Sequence, residues 1–474
     1  MLRRFFRNTW VKVALLSLIA LSVLLVAGYL VFKWRFIPSV PRPEFPEPAS
    51  QLEGYVQDLG YLETYADVEK ALDDETKRDA FLRYIEALRT QVDTMSPERF
   101  EVVVAEAVAL ADNGHSNVSP VGMSRRVNHF PIRTGPFEDG EFIIQAKRGY
   151  EHLLGAEIVA VEGHPIADVT DSFVSMFGGT EDRSRFFSHL YINSPALLFG
   201  KGFTASPDGA SLSFRLANGE TTDVYLEGTS LPEGRRSPYG REVMDYRVPE
   251  EDAEDWLHLM AGREPPLYLA EPDEPFLYRN LDDANGAYIK INYNWDVNGR
   301  SLKGWLKDVS SDMRKREPVF AVIDLRFNGG GTDATNSFAK DLPSLVHNDG
   351  TIYVVTSRET FSAGIGAAAQ IKKFGGDRVR IVGGPVGDRL RFVANGGDLF
   401  KLPNSGISAP VWSTIEDYAA GCWEWSQCFW FSPFFLREGV GDLEPHVLIR
   451  TNFADYANNR DSVMDAIRAE ISGT

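Results

Sequence analysis

The sequence predicts an α+β multidomain chain in which three kinds of region follow one another. Residues 51–119 read as helical, residues 120–228 as short strands punctuated by Gly, Pro and Asp, and residues 284–474 as alternating strand and helix. The helical reading rests on one well-marked helix. Ser96 stands at an N-cap position with Pro97 in the first turn, and Phe100, Val103, Val104, Ala107, Val108 and Ala111 follow at helical spacing as a buried stripe. Asn113-Gly114 is expected to supply the left-handed stop, which leaves His115 just past a helix end anchored in a core. The α/β reading rests on three apolar runs, 286–291, 319–325 and 352–356. The second is apolar enough to be buried on both faces, and each leads into a Gly- or Ser-rich turn and then a helical stretch.

Composition narrows the function. Against 49 Lys+Arg stand 67 Asp+Glu, a formal charge of −18, which argues against nucleic acid as a partner. Two cysteines exclude a disulfide scaffold and a four-cysteine zinc site, and no H-x-x-x-H helix pair exists among the 8 histidines. No metal and no cofactor is expected.

The amino end carries a membrane signal. Arg3, Arg4, Arg7 and Lys12 precede an apolar run over residues 13–32, and about twenty residues span roughly 30 Å of hydrocarbon. Lys33-Trp34-Arg35 follows where a cleavable signal would place a small-x-small site, so an uncleaved anchor is favoured over a cleaved signal. The basic flank puts residues 1–12 in the cytoplasm and the bulk outside, in a periplasm or its equivalent. Pro38, Pro41, Pro43, Pro46 and Pro48 make residues 33–50 a stiff linker. Cys422 and Cys428, in C-W-E-W-S-Q-C, are expected to form a small disulfide loop in such an oxidising compartment.

Within 120–228, the segment L-G-A-E-I-V-A-V-E-G-H-P-I at 154–166 resembles the G-D-x-I-x-x-I-N-G core of PDZ-like domains, which bind extended peptide at a sheet edge. His164 in its turn reads as a solvated loop residue. Residues 229–283 read as a connecting segment.

Two turns carry the chemistry. D-L-R-F-N-G-G-G at 324–331 ends a buried strand, and its glycines let main-chain N–H groups converge on an anion; the lysine of a P-loop is absent. In T-S-R-E-T-F-S-A-G-I-G at 356–366, Ser362 opens a small-residue helix. Two readings stand for that serine. It is an N-cap, or it is a nucleophile at the positive end of a helix, with the N–H of Ala363 helping to hold an oxyanion.

Together these turns resemble the serine peptidase family of the carboxy-terminal-processing proteases and the archaeal tricorn protease, whose members carry D-L-R-x-N-x-G-G and then T-x-S-A before a helix. The resemblance runs from about residue 95 to 465 and includes L-P-N-S at 402–405 and L-E-P at 443–445. It implies a ClpP/crotonase-like catalytic domain at 284–474, Ser362 as nucleophile, and an oxyanion hole from Ala363 with Gly329 or Gly330. The processing proteases place a lysine base about 25 residues after the serine. Gly387, Asp388 and Arg389 stand there, and arginine does not give up its proton. Lys372 and Lys373 read as solvated.

The tricorn-like branch takes a histidine from a D-x-H-like turn, and D-N-G-H-S-N-V at 112–118 matches that place, so His115 is the expected base. Gly114 stands where that branch has a serine. Glu438 lies near the expected place of the orienting carboxylate, with a solvated loop glutamate as its other reading. His446 is the reserve base. The expectation is a membrane-anchored, extracytoplasmic serine peptidase that cleaves peptides or unstructured segments through an acyl-enzyme. An esterase and a catalytically inactive peptide-binding scaffold are the alternatives.

Overall fold

The computed structural model describes residues 9–37, 39–282, 284–429 and 437–473. Arg3, Arg4, Arg7 and Pro38 lie outside them. Helix Thr9–Phe36 runs through the apolar stretch, with Lys12–Phe36 at mean hydropathy 2.6; its residues are exposed over 12–31, and Phe36 is buried against the body. Among the described residues it alone is long and apolar enough to cross a membrane, as an anchor or a signal sequence. The proline-rich stretch beyond it packs on the body. Val40 is buried, Phe45 meets the Tyr61 ring at 5.6 Å, and Arg42 pairs with Asp398 at 3.1 Å.

The helical region forms as its caps dictate. Ser50, Asp74 and Ser96 accept from the first-turn N–H groups of helices Gln51–Leu62, Glu75–Arg89 and Pro97–Ala109. The stop of the last helix differs from expectation. The left-handed residue is Asp112 (φ 46°), and Gly114 has no positive φ.

An antiparallel sheet follows, in the order Ile132–Thr134, Glu141–Lys147, Glu157–Val161, Gly209–Arg215, Thr221–Glu227. His164–Pro165 folds back on Glu157–Val161 through the Glu162-Gly163 turn, where both residues have positive φ, and His164 is exposed. Strand Trp256–His258, from the stretch read as a connector, also joins this sheet. Helical region and sheet share one apolar core, to which hairpin Asp398–Lys401/Ser408–Val411 adds Phe400, Leu402, Ile407 and Val411. The L-P-N-S motif is the turn of that hairpin, held where buried Asp58 accepts from the N–H groups of Asn404 (2.9 Å) and Ser405 (2.8 Å).

The second sheet carries strands Phe276–Leu281, Gly286–Ile291, Phe320–Asp324, Thr351–Thr356, Val379–Gly383 and Val447–Leu448, side by side in chain order. All pairs are parallel except the first. Right-handed crossovers in a monotonic order put the intervening helices on one face. Leu302–Arg316, Asn336–Asp341 and Ala363–Gly375 cover the face of Ile289, Ile323, Val354 and Ile381. Helix Ser462–Ser472 covers the other, against Tyr288, Val322, Tyr353 and Val382. Between the last two strands the chain makes a long excursion, which includes the paired strands Arg391–Ala394 and Thr414–Asp417 and the Cys422–Cys428 disulfide.

The aspartate and arginine of D-L-R are structural. Asp324 accepts from Tyr288 Oη (2.7 Å) and from the N–H and Nε of Arg326, whose guanidinium forks onto Asp461 at 3.1 and 3.0 Å. Asp461 in turn caps helix Ser462–Ser472, so one buried ion triad ties the strand end to the covering helix. Arg326→Met, which strands two buried carboxylates, should lower stability in urea unfolding by about 3–5 kcal/mol; a loss under about 1 kcal/mol would contradict this.

Buried His129 donates its Nε2–H to the Ser124 carbonyl (2.7 Å), and burial pushes its pKa down to about 4. Its neutral form is favoured in the fold, so the stability it contributes is present above the ordinary value of 6.5 and drains as pH falls toward about 4. Relative to His129→Gln, wild type should therefore lose about 2 kcal/mol between pH 7 and pH 5, read by denaturant titration at each pH. An unchanged difference would refute it.

Candidate active site

The carboxyl ends of the parallel strands form the site, where open α/β sheets leave a crevice. After Thr351–Thr356 the chain makes a tight turn. Thr360 donates its N–H to the Ser357 carbonyl (2.8 Å) and its hydroxyl to the Leu325 carbonyl (2.8 Å). Phe361 N–H donates to the Asn328 carbonyl at 2.9 Å. Ser362 follows at φ 54°, ψ −124°, a region in which a residue with a side chain is held only by its surroundings, at about 1–3 kcal/mol. Its hydroxyl does not cap helix Ala363–Gly375, so the N-cap arrangement is not adopted. The Ala363 N–H, first in the helix, has no intrahelical partner.

The glycine turn fits against this serine. A Cβ on Gly330 (φ 107°) would fall 2.6 Å from Ser362 Cβ, so only glycine allows the approach. Buried Asn328 holds the turn: Nδ2 donates to the Ile291 carbonyl and to Asn294 Oδ1, both at 2.9 Å, while Oδ1 accepts from Gly330 N–H at 3.0 Å. Asn294 completes the bracket, donating from Nδ2 to the Ala363 carbonyl (2.7 Å) and from its N–H to the Gly330 carbonyl (2.9 Å). The Gly330 N–H is committed to Asn328 Oδ1.

His115 packs against the residue before the serine. Its ring stacks on Phe361 (centroids 4.3 Å, 28°) and Phe392 (4.7 Å, 22°), with Trp412 edge-on at 5.8 Å. Phe361 immediately precedes Ser362, so the ring packs on the residue next to the serine in the chain. No hydrogen bond joins histidine and serine, and neither ring nitrogen of His115 has a hydrogen-bond partner. The turn beneath is clamped. Asn113 bonds both the N–H and the carbonyl of Val393 (3.0 Å each), Trp412 Nε1 donates to the His115 carbonyl (2.7 Å), and Ser116 donates to buried Glu69 (2.9 Å). Burial pushes the Glu69 carboxyl up to about 7 against the pull of its N–H donors from Trp412 and Ala71.

The carboxylate at the histidine is that of Asp388, which the sequence reading did not select. Asp388 Oδ2 lies 3.5 Å from His115 Nδ1 with both side chains buried, and this oxygen has no hydrogen-bond partner. Oδ1 accepts from the N–H of Arg389 at 2.9 Å. The approach explains Gly114, because a Cβ there would meet Asp388 Oδ2 at 2.4 Å. Glu438 is elsewhere. It is exposed beside the far end of helix Ala363–Gly375, where Lys373 Nζ donates to its carbonyl at 3.3 Å. His446 is at that same end, its Nδ1 accepting from Ile381 N–H at 3.0 Å, and Lys372 pairs there with Asp442 at 3.1 Å. Ten residues of helix separate these groups from Ser362, about 15 Å. Lys290 is pushed down to about 8 by burial, but it lies on the opposite sheet face and donates to the carbonyls of Tyr268 and Ala270.

A second charged cluster flanks Phe361. The Arg183 guanidinium lies 4.6 Å from its ring, and burial pushes Glu359 up to about 7 against Arg183, Arg358 and Arg241. Among the described residues no group of His, Cys, Asp and Glu could hold a metal ion.

No protein-family model matches the chain, and no curated protein matches it. Solved structures do. Mature CPAF complexed with lactacystin aligns at 14% identity over 89% of this chain and 99% of its own, with a TM-score of 0.55. Mature CPAF on its own gives the same identity and TM-score over 98% of its length. Tricorn protease aligns at 14% identity over 90% of this chain and 37% of its own with a TM-score of 0.37, too distant to carry weight. Over nearly the whole length of both chains, this protein shares the fold of mature CPAF.

Proposed function

We propose that the protein is a serine peptidase in which Ser362 is the nucleophile, His115 the general base and Asp388 the group that orients the histidine. The observation that carries this is the buried Asp388–His115 approach at 3.5 Å, with the His115 ring stacked on Phe361, the residue before a serine held at φ 54°. Buried carboxylate and imidazole face each other where a histidine must keep one tautomer. With Nδ1–H turned to Asp388, Nε2 is left as the acceptor.

Ser362 Oγ attacks the peptide carbonyl as its proton passes to His115 Nε2. The N–H groups of Ala363 and Gly329 hold the oxyanion. The imidazolium, stabilised by Asp388, returns the proton to the leaving amine, and water then cleaves the acyl-enzyme by the same route. The antiparallel sheet serves as a PDZ-like clamp for extended peptide, ahead of a ClpP-like catalytic unit. Helix Thr9–Phe36 anchors the chain with its body outside the cytoplasm, where the Cys422–Cys428 disulfide persists.

One observation favours an inactive scaffold instead: Ser362 and His115 share no hydrogen bond, and the His115 ring is stacked between two phenylalanines. Unliganded sites are often loose in this way and tighten on substrate. A fluorophosphonate probe separates the readings. Wild type should label at Ser362 and Ser362→Ala should not, while an unlabelled wild type would establish the scaffold.

Peptide hydrolysis should fall to background in Ser362→Ala and His115→Ala alike, with no further loss in the double variant, because such residues act as a unit. Asp388→Asn should lose on the order of 10²–10⁴ in kcat with KM little changed. Glu438→Gln should keep full activity, and a loss there comparable to Asp388→Asn would defeat the assignment.

Gly330→Ala probes the serine's seat. Its Cβ would displace Ser362, and misplacement by about 1 Å costs roughly a hundredfold. Activity should fall by about that factor with the melting temperature shifted by only a few degrees; undiminished turnover would contradict the packing.

A further inference from the structure

We infer that the disulfide loop Cys422–Cys428 is a second membrane contact, which seats Trp423 and Trp425 in the lipid headgroup layer beside the body-side end of helix Thr9–Phe36. The inference rests on the anchor reading of that helix. Of the five exposed tryptophans among the described residues, Trp10 lies near one end of the helix, and Trp34 (83% exposed) lies near the other. Two of the remaining three are Trp423 (62%) and Trp425 (57%). The loop bearing them touches the same helix end. Arg35 donates to the Ser426 carbonyl of the loop, and just outside it the Phe36 ring meets Phe429 edge-on at 5.8 Å while the Phe36 carbonyl accepts from Ser413 Oγ at 2.6 Å.

The loop is built to present its rings. Cys422 and Cys428 are buried in the core of the α/β unit, and Ile415 N–H donates to the Gln427 carbonyl at 2.9 Å, so its base is fixed while the tryptophans face outward. Tryptophan, with an apolar ring and one N–H donor, concentrates at membrane–water interfaces. Glu424 between the two rings sets the depth, because a carboxylate stays with the headgroups and keeps the loop from the hydrocarbon. The loop and the helix end thus form one interfacial band, which fixes the body's tilt over the bilayer.

The test uses the full-length protein in phosphatidylcholine–phosphatidylglycerol vesicles doped with a lipid carrying a diazirine near its headgroup, with adducts mapped by mass spectrometry. Trp423 and Trp425 should carry adducts at about tenfold or more the yield on Trp295, which is exposed beside the glycine turn. In Trp423→Ala/Trp425→Ala, labelling of helix Thr9–Phe36 should persist while the loop signal disappears. Adducts on the helix with none above the Trp295 yield in the loop would overturn the inference alone. An unlabelled helix would overturn the anchor reading and the inference with it.

Discussion

Buried Asn328 is the constraint on which the site depends. Through one side chain and one carbonyl it joins the end of strand Gly286–Ile291, the glycine turn and the residue before Ser362. Each of these polar groups would be costly to bury alone, and within the bracket each finds a partner. The bracket is what can hold Ser362 in a backbone conformation that few side chains tolerate. Below it, the Asp324–Arg326–Asp461 triad fixes the strand end from the other face of the sheet. The D-L-R-x-N-G-G run thus divides its labour. Asp324 and Arg326 secure the sheet, Asn328 secures the turn, and glycine leaves room for the serine.

The histidine comes from a different part of the fold. His115 belongs to the helical region, whose core is continuous with the antiparallel sheet, whereas Ser362 belongs to the α/β unit. The excursion after strand Val379–Gly383 joins the two. It supplies Asp388 at the ring nitrogen, Phe392 on one ring face, Val393 against Asn113 and Trp412 on the His115 carbonyl. The proposed pairing of serine and histidine therefore depends on how this excursion docks and on a buried polar set that includes Glu69.

What could be read from the sequence, and what could not, follows from range. The capped helix Pro97–Ala109 and the parallel strands were legible because capping residues and apolar periodicity act locally. Ser362 and the glycine turn were legible as a pair of strand-end signals. Asp388 was passed over because nothing in its neighbourhood marks it; its partner lies 388 − 115 = 273 residues away and the contact exists only once the excursion has docked. Gly114 was given the wrong reason, since Asp112 takes the left-handed conformation and Gly114 makes room for a carboxylate. Position along the chain points to Glu438, but the helix that follows Ser362 carries that end of the fold away from the serine. The strand Trp256–His258 is too short for its pattern to stand out from a connector.

The central claim is that His115 serves Ser362, although the two make no hydrogen bond without substrate. A crystal structure of the full chain with a peptide boronate bound tests it most directly. The account predicts a covalent bond from boron to Ser362 Oγ, with His115 Nε2 within about 3.2 Å of a boronate or serine oxygen and Nδ1 within the same reach of Asp388. An adduct at Ser362 with His115 still out of reach and another base beside the serine would contradict it.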